Sequence, residues 1–110
     1  MANQTLVPTE VGVDNLVIEA GEVRTRTVLA NQVLPRGTAV TLTAGKLVKT
    51  VANGDIYGII KDDIDTTGAD ALGGIYYTGK YKKSIIESVT GITITNAMED
   101  TMRTNQLILG

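Results

Sequence analysis

From Leu16 onward, apolar and polar residues alternate in short runs broken by glycine, proline and asparagine, the pattern of strands and tight turns. Thr25-Arg26-Thr27-Val28-Leu29 alternates. So does Ala39-Val40-Thr41-Leu42-Thr43, which Ala44-Gly45-Lys46 turns into Leu47-Val48-Lys49-Thr50-Val51. Strand, short glycine turn and strand predict a hairpin. Leu34-Pro35-Arg36-Gly37 is a turn, with proline pre-setting φ and glycine free to take positive φ. Asn53-Gly54-Asp55 is another, and Ile56-Tyr57-Gly58-Ile59-Ile60 is nearly continuously apolar, which predicts a central strand covered on both faces. A polar loop is expected over Asp62–Gly74, then a strand over Ile75–Tyr81 that would put Tyr77 and Tyr81 on one face. Ile92–Thr95 and Leu107–Leu109 read as further strands.

Two short helices interrupt this pattern. Ser84-Ile85-Ile86-Glu87 has the spacing of a capping box, and Asn96 is placed to cap Ala97–Arg103. Met98 and Met102, four apart, would share its buried face. Residues 1–16 differ from the rest. Leu6, Val7, Val11 and Val13 keep no long period around Pro8 and Gly12, so the segment reads as a flexible, extended N-terminal arm ahead of a single β-rich domain over 17–110.

Composition sharpens the fold and narrows the chemistry. Phe and Trp are absent, so the core falls to Val, Ile, Leu and Ala, an alphabet that packs well on pleated sheets. A chain of 110 residues makes one small domain, and such domains often gain burial by oligomerising. With no Cys and no His, the disulfide framework, the thiol nucleophile and the commonest general base and metal ligand are all missing. A net charge of −2 argues against nucleic acid, even though Tyr76–Lys83 interleaves tyrosines with lysines. No apolar run approaches the ~20 residues of a membrane-spanning helix, and the N-terminus lacks the basic start and apolar stretch of a secretory signal, so synthesis and folding in a cytoplasm are expected.

The remaining candidate constellations fall short of an active site. Asp63, Asp65, Thr67 and Gly68 match positions 1, 3, 5 and 6 of a calcium loop, but position 12, which needs a bidentate Glu, is Gly74. A turn in which Asx side chains bond their own backbone is the expectation there. Asp62 and Asp63 are adjacent and on a strand would point to opposite faces. The two serines, Ser84 and Ser88, have no histidine to serve as base. No catalytic residue, cofactor or metal is expected.

Three stretches, in this order, resemble the lambda-type phage head decoration protein family. They are Val33–Val40 with its Arg36-Gly37-Thr38, Gly54–Asp70 with a glycine-centred strand before an Asp- and Thr-rich loop, and Gly73–Tyr81 ending in a glycine and an aromatic. Together they span most of residues 33–81. The resemblance implies a mainly β, small β-clip-like domain with one or two short helices and an extended N-terminal arm. It implies homotrimers on the outer surface of the capsid, at local threefold sites of the expanded head, where they bind the major capsid protein and resist the pressure of packaged DNA. Within the arm, Thr5, Leu6, Val7, Pro8, Val11 and Val13 are the candidate capsid-binding residues. An extended segment such as Thr5-Leu6-Val7 can add a strand to a sheet edge of a partner, and three arms on one trimer gain through effective concentration. Ala30–Val40 is also similar to the β-clip segment of SAF domains, which implies the alternative of an accessory or ligand-binding module within a longer chain. An enzyme acting through carboxylates alone is the third and most distant reading.

Overall fold

The structure, a computed structural model, describes residues 15–110. Ten strands and two helices follow one another as β1 (Val17–Ala20), β2 (Val23–Val28), β3 (Val33–Leu34), β4 (Ala39–Thr43), β5 (Lys46–Lys49), β6 (Gly58–Ile60), β7 (Ile64–Asp65), β8 (Ala71–Tyr76), β9 (Gly79–Tyr81), α1 (Lys83–Thr90), α2 (Asn96–Thr104) and β10 (Leu107–Leu109). The fold is mainly β with two short helices, as expected from the pattern. Five strands close a small barrel in the order β2-β5-β4-β6-β8, and two small sheets, β1-β9-β10 and β3-β7, flank it.

The expected hairpin is β4–β5, antiparallel with Thr43 opposite Lys46. Its two-residue turn holds Ala44 at φ 51° and Gly45 at φ 81°, the doubly left-handed turn that suits the twist of paired strands. The central strand expected over Ile56–Ile60 forms over Gly58–Ile60 alone, as β6 between β4 and β8. Ile56 and Tyr57 lead into it, with the Tyr57 N–H on the Val40 carbonyl at 2.8 Å. Its unbroken apolar run has a simple cause. Ile60 faces the barrel interior with Val28, Leu34, Val40, Leu47 and Ile75. Ile59 faces the opposite way, with Ala39 and Tyr76, into a second core formed under the helices. β6 is thus buried on both faces along its whole length, and no alternation can show in it.

The barrel is narrow, and two glycines make room for it. A Cβ on Gly58 would lie 2.7 Å from Cδ1 of Ile75, and one on Gly73 would lie 2.8 Å from Cγ2 of Val28. The same demand for small residues gives the first half of β8 the composition of a loop. Ala71-Leu72-Gly73-Gly74 looks like a loop in one dimension, yet it pairs in register with β2 from Val28 opposite Ala71 to Val23 opposite Tyr76. The polar loop expected over Asp62–Gly74 accordingly shrinks, since it also contains β7. The single strand expected over Ile75–Tyr81 is two strands in two sheets. The chain breaks at Tyr77 and Thr78, where Tyr77 N–H donates to the carbonyl of Glu22 at 2.7 Å and Gly79 takes φ 117°. Tyr77 and Tyr81 therefore do not share a strand face.

The helices form where expected but start differently. Lys82 is the N-cap of α1 and makes no side-chain cap bond, so Ser84 lies inside the helix. Its supposed capping partner, Glu87, instead accepts the N–H of Ile94 at 2.7 Å and ties α1 to the following loop. Helix α2 is capped by Thr95, whose hydroxyl accepts the Met98 N–H at 3.3 Å; Asn96 is its first helical residue. Ile92–Thr95 forms no strand, because it is the short connection that ends on this cap. Met98 and Met102 are both buried in the second core, as their spacing predicted. Leu16, assigned by sequence to the arm, is fully buried in that same core, and its carbonyl accepts the N–H of Lys82 at 2.8 Å. The body therefore includes at least this residue.

Candidate functional site

The arm residues Thr5, Leu6, Val7, Pro8, Val11 and Val13 lie outside the described residues. Two surface regions of the body remain as candidates, and they use their charged groups differently.

The first is built by the turn Pro35-Arg36-Gly37 against the chain that follows β6. Arg36 N–H donates to Asp63 Oδ1 at 2.7 Å, and its guanidinium donates to the Lys61 carbonyl at 2.8 Å and to the phenol oxygen of Tyr76 at 2.9 Å. Gly37 N–H meets the carbonyl of Ile60 at 2.9 Å. Arg36 thus acts as an internal tie between β3, β6 and β8. Beside it, Val33 is 68% exposed at the edge of a shallow apolar hollow lined by Val33, Leu34, Pro35, Asp63, Ile64 and Asp65.

The acidic stretch after it is committed to its own backbone. Asp65 Oδ1 accepts both the N–H and the hydroxyl of Thr67, at 2.9 and 2.6 Å, which is the expected Asx turn. Those bonds, the side-chain one first, hold its carboxyl below the ordinary 3.8. Asp70 accepts the Ala30 N–H at 2.9 Å and pairs with Lys46 at 2.6 Å, and the lysine chiefly lowers its pKa too. Buried Thr66 closes the loop onto the barrel, donating to the carbonyl of Leu29 at 2.7 Å and accepting from Gln32 N–H at 3.0 Å. Among the described residues no three His, Cys, Asp or Glu side chains converge on a metal position.

The second region is at the other end of β2, and the sequence reading passed over it. Arg24 and Arg26 alternate on one face of β2. The guanidinium of Arg24 lies 3.8 Å from the ring centre of Tyr77, and that of Arg26 lies 5.6 Å from Tyr57. The two tyrosines touch each other, with ring centres 5.4 Å apart and tilted by 56°. Tyr77 lines a hollow with Glu22, Thr78 and Gln106, and Tyr57 lines another with Leu42 and Asp55; Asn105 borders both. The signal was available in Arg24-Thr25-Arg26, since residues two apart on a strand share a face. Their tyrosine partners come from 53 and 31 residues further along the chain (77 − 24 and 57 − 26), and only folding brings them together.

Against protein-family models and against curated protein sequences, the chain matches none. Among the described residues no helix is long and apolar enough to cross a membrane.

Proposed function

We propose that this chain is a structural virion protein, a decoration protein that cements the head of a bacteriophage. It is made in the bacterial cytoplasm and binds as homotrimers to the major capsid protein, on the outer surface of the expanded head at local threefold sites. It works by contact and without catalysis, cofactor, nucleic acid or membrane. The observation that carries the reading is the ordered resemblance of Val33–Val40, Gly54–Asp70 and Gly73–Tyr81 to the lambda-type decoration family. Support comes from how these stretches meet. β3 pairs with β7, β4 with β6, and β6 with β8, so the three stretches form one contiguous unit. Arg36 of the first stretch bonds to Lys61 of the second and Tyr76 of the third.

In this reading the body is a rigid platform and residues 1–15 supply the attachment. Ordering a segment costs roughly 1–2 kcal/mol per residue of backbone entropy, so one arm binds weakly and three on one trimer bind well. The test deletes residues 1–15, keeps the buried Leu16, and follows thermal melting beside co-sedimentation with expanded, undecorated heads. Normal melting with poor binding is expected. Tight binding by the truncated chain would overturn the role of the arm. A full-length chain that scatters light as a monomer at micromolar concentration and leaves the heads bare would overturn the function, and the monomer would favour the accessory-module alternative.

A further inference from the structure

Of the four arginines of the body, Arg103 lies in the last turn of α2, and the three on the β-rich part divide into two kinds. Arg36 donates to two acceptors within the fold. Arg24 and Arg26 are half-buried. Both lie against tyrosine rings, yet neither guanidinium donates a hydrogen bond to any described residue. Arg24 has an ion-pair neighbour in Glu22, 3.9 Å away and beyond hydrogen-bond reach. Arg26 has no ion-pair partner among the described residues. A guanidinium has five N–H donors in a planar fork, and stacking on a ring occupies its face while leaving that fork open at the edge.

From this geometry we infer that Arg24, Arg26, Tyr57 and Tyr77 form a docking site for an acidic side chain of a protein partner. Three features select that ligand. Alternate residues on a strand are roughly 7 Å apart, so the two forks flank a space suited to one or two carboxylates. The tyrosine rings hold the guanidinium groups over them, so less rotamer freedom is lost on binding, and Tyr and Arg are among the residues that most often carry binding energy at protein interfaces. Glu22 and Asp55 rim the two hollows and offset the positive field. The site therefore rewards directional fork bonds to a carboxylate over loose attraction of any anion. The inference stands apart from the capsid reading, because it concerns the body and needs neither the arm nor a trimer.

The test is an NMR titration of the full ¹⁵N-labelled chain with an acetylated hexaglutamate peptide, following the arginine Nε–H signals and the tyrosine rings. Saturable shifts confined to Arg24, Arg26, Tyr57 and Tyr77 are expected. Arg26→Gln should weaken binding about tenfold, the loss of one charge-assisted fork. Arg26→Lys keeps the charge and loses the fork, and should weaken it about fivefold. Glu22→Gln removes the competing carboxylate and should strengthen binding about twofold. Shifts spread over Lys46, Lys80 and Lys82 would overturn the site, as would an Arg26→Lys variant that binds like the parent chain. Inorganic phosphate producing the same shifts at lower concentration would make it a small-ion site and overturn the protein partner. If Arg26→Gln fails to fold, the Arg26→Lys and Glu22→Gln measurements decide the question alone.

Discussion

The strands β4, β6 and β8 divide two cores that are filled on different principles. On the barrel side Val28, Leu34, Val40, Leu47, Ile60 and Ile75 meet, all aliphatic and all drawn from strands. On the helix side Tyr76, Tyr81, Met98 and Met102 join Leu16, Ile56, Ile86 and Leu107. The barrel is closed by hydrogen bonds around its whole girth, so its wall cannot move inward to fill a gap. The helix side is roofed by two short helices and flexible thioethers, which can shift to follow a lost contact. Its polar tips are satisfied: the Tyr81 hydroxyl donates to the Thr78 carbonyl at 2.5 Å, and burial, the largest influence, raises its pKa. The α1 end is anchored as well, since the Thr90 hydroxyl accepts the Ala39 N–H at 2.9 Å. Closure makes one core stiff; the helices make the other adaptable.

That contrast is open to direct attack. Ile60→Ala should cost about 4 kcal/mol and Met102→Ala about 2–3 kcal/mol, because the residual cavity adds most where the surroundings cannot collapse. Urea unfolding measures both, and equal losses would dissolve the distinction. A smaller effect comes from the roof itself. Thr95→Ala removes the cap of α2 and should cost about 1 kcal/mol. Hydrogen exchange should then quicken in α2 while β4, β6 and β8 keep their protection; uniform acceleration would mean the two cores open as one unit.

On the barrel side, the turn of the hairpin holds Ala44 at φ 51°, where a side chain is strained. Ala44→Gly should therefore stabilise the fold by about 0.5 kcal/mol, read as a higher urea midpoint at unchanged slope. The smallest effect tests the Asp70 tie between the barrel strand ends. Its folded pKa lies below the ordinary 3.8, so its contribution is present above that value and is lost as pH falls through the lowered one. The melting-temperature gap between the parent chain and Asp70→Asn should be full at neutral pH and close below pH 3.8. A gap independent of pH would show that the carboxylate charge is irrelevant there.

Local chemistry made several features legible in the sequence. The β4–β5 hairpin follows from alternation around Ala44-Gly45, and the central β6 from an unbroken apolar run. The buried pair Met98 and Met102 follows from helical spacing, and the Asx turn at Asp65 from a short acid two residues before a threonine. Each depends on neighbours within a few residues, so one dimension was enough. The absence of Cys and His fixed the chemical limits in the same way.

Other features depended on partners far along the chain. Gly73 and Gly74 read as a loop until β2 lies beside them and the barrel needs the space a side chain would fill. Glu87 reads as a capping residue until the N–H of Ile94 comes within 2.7 Å. Leu16 reads as the end of an arm until the helix-side core closes over it. The stacking of Arg24 on Tyr77 and of Arg26 on Tyr57 belongs with these. By itself the sequence determined a small aliphatic β domain and the positions of its local turns and helices. Tertiary structure decided which glycines are barrel wall, which polar groups are satisfied inside the fold, and which arginines keep open forks, because each of these depends on what lies across space.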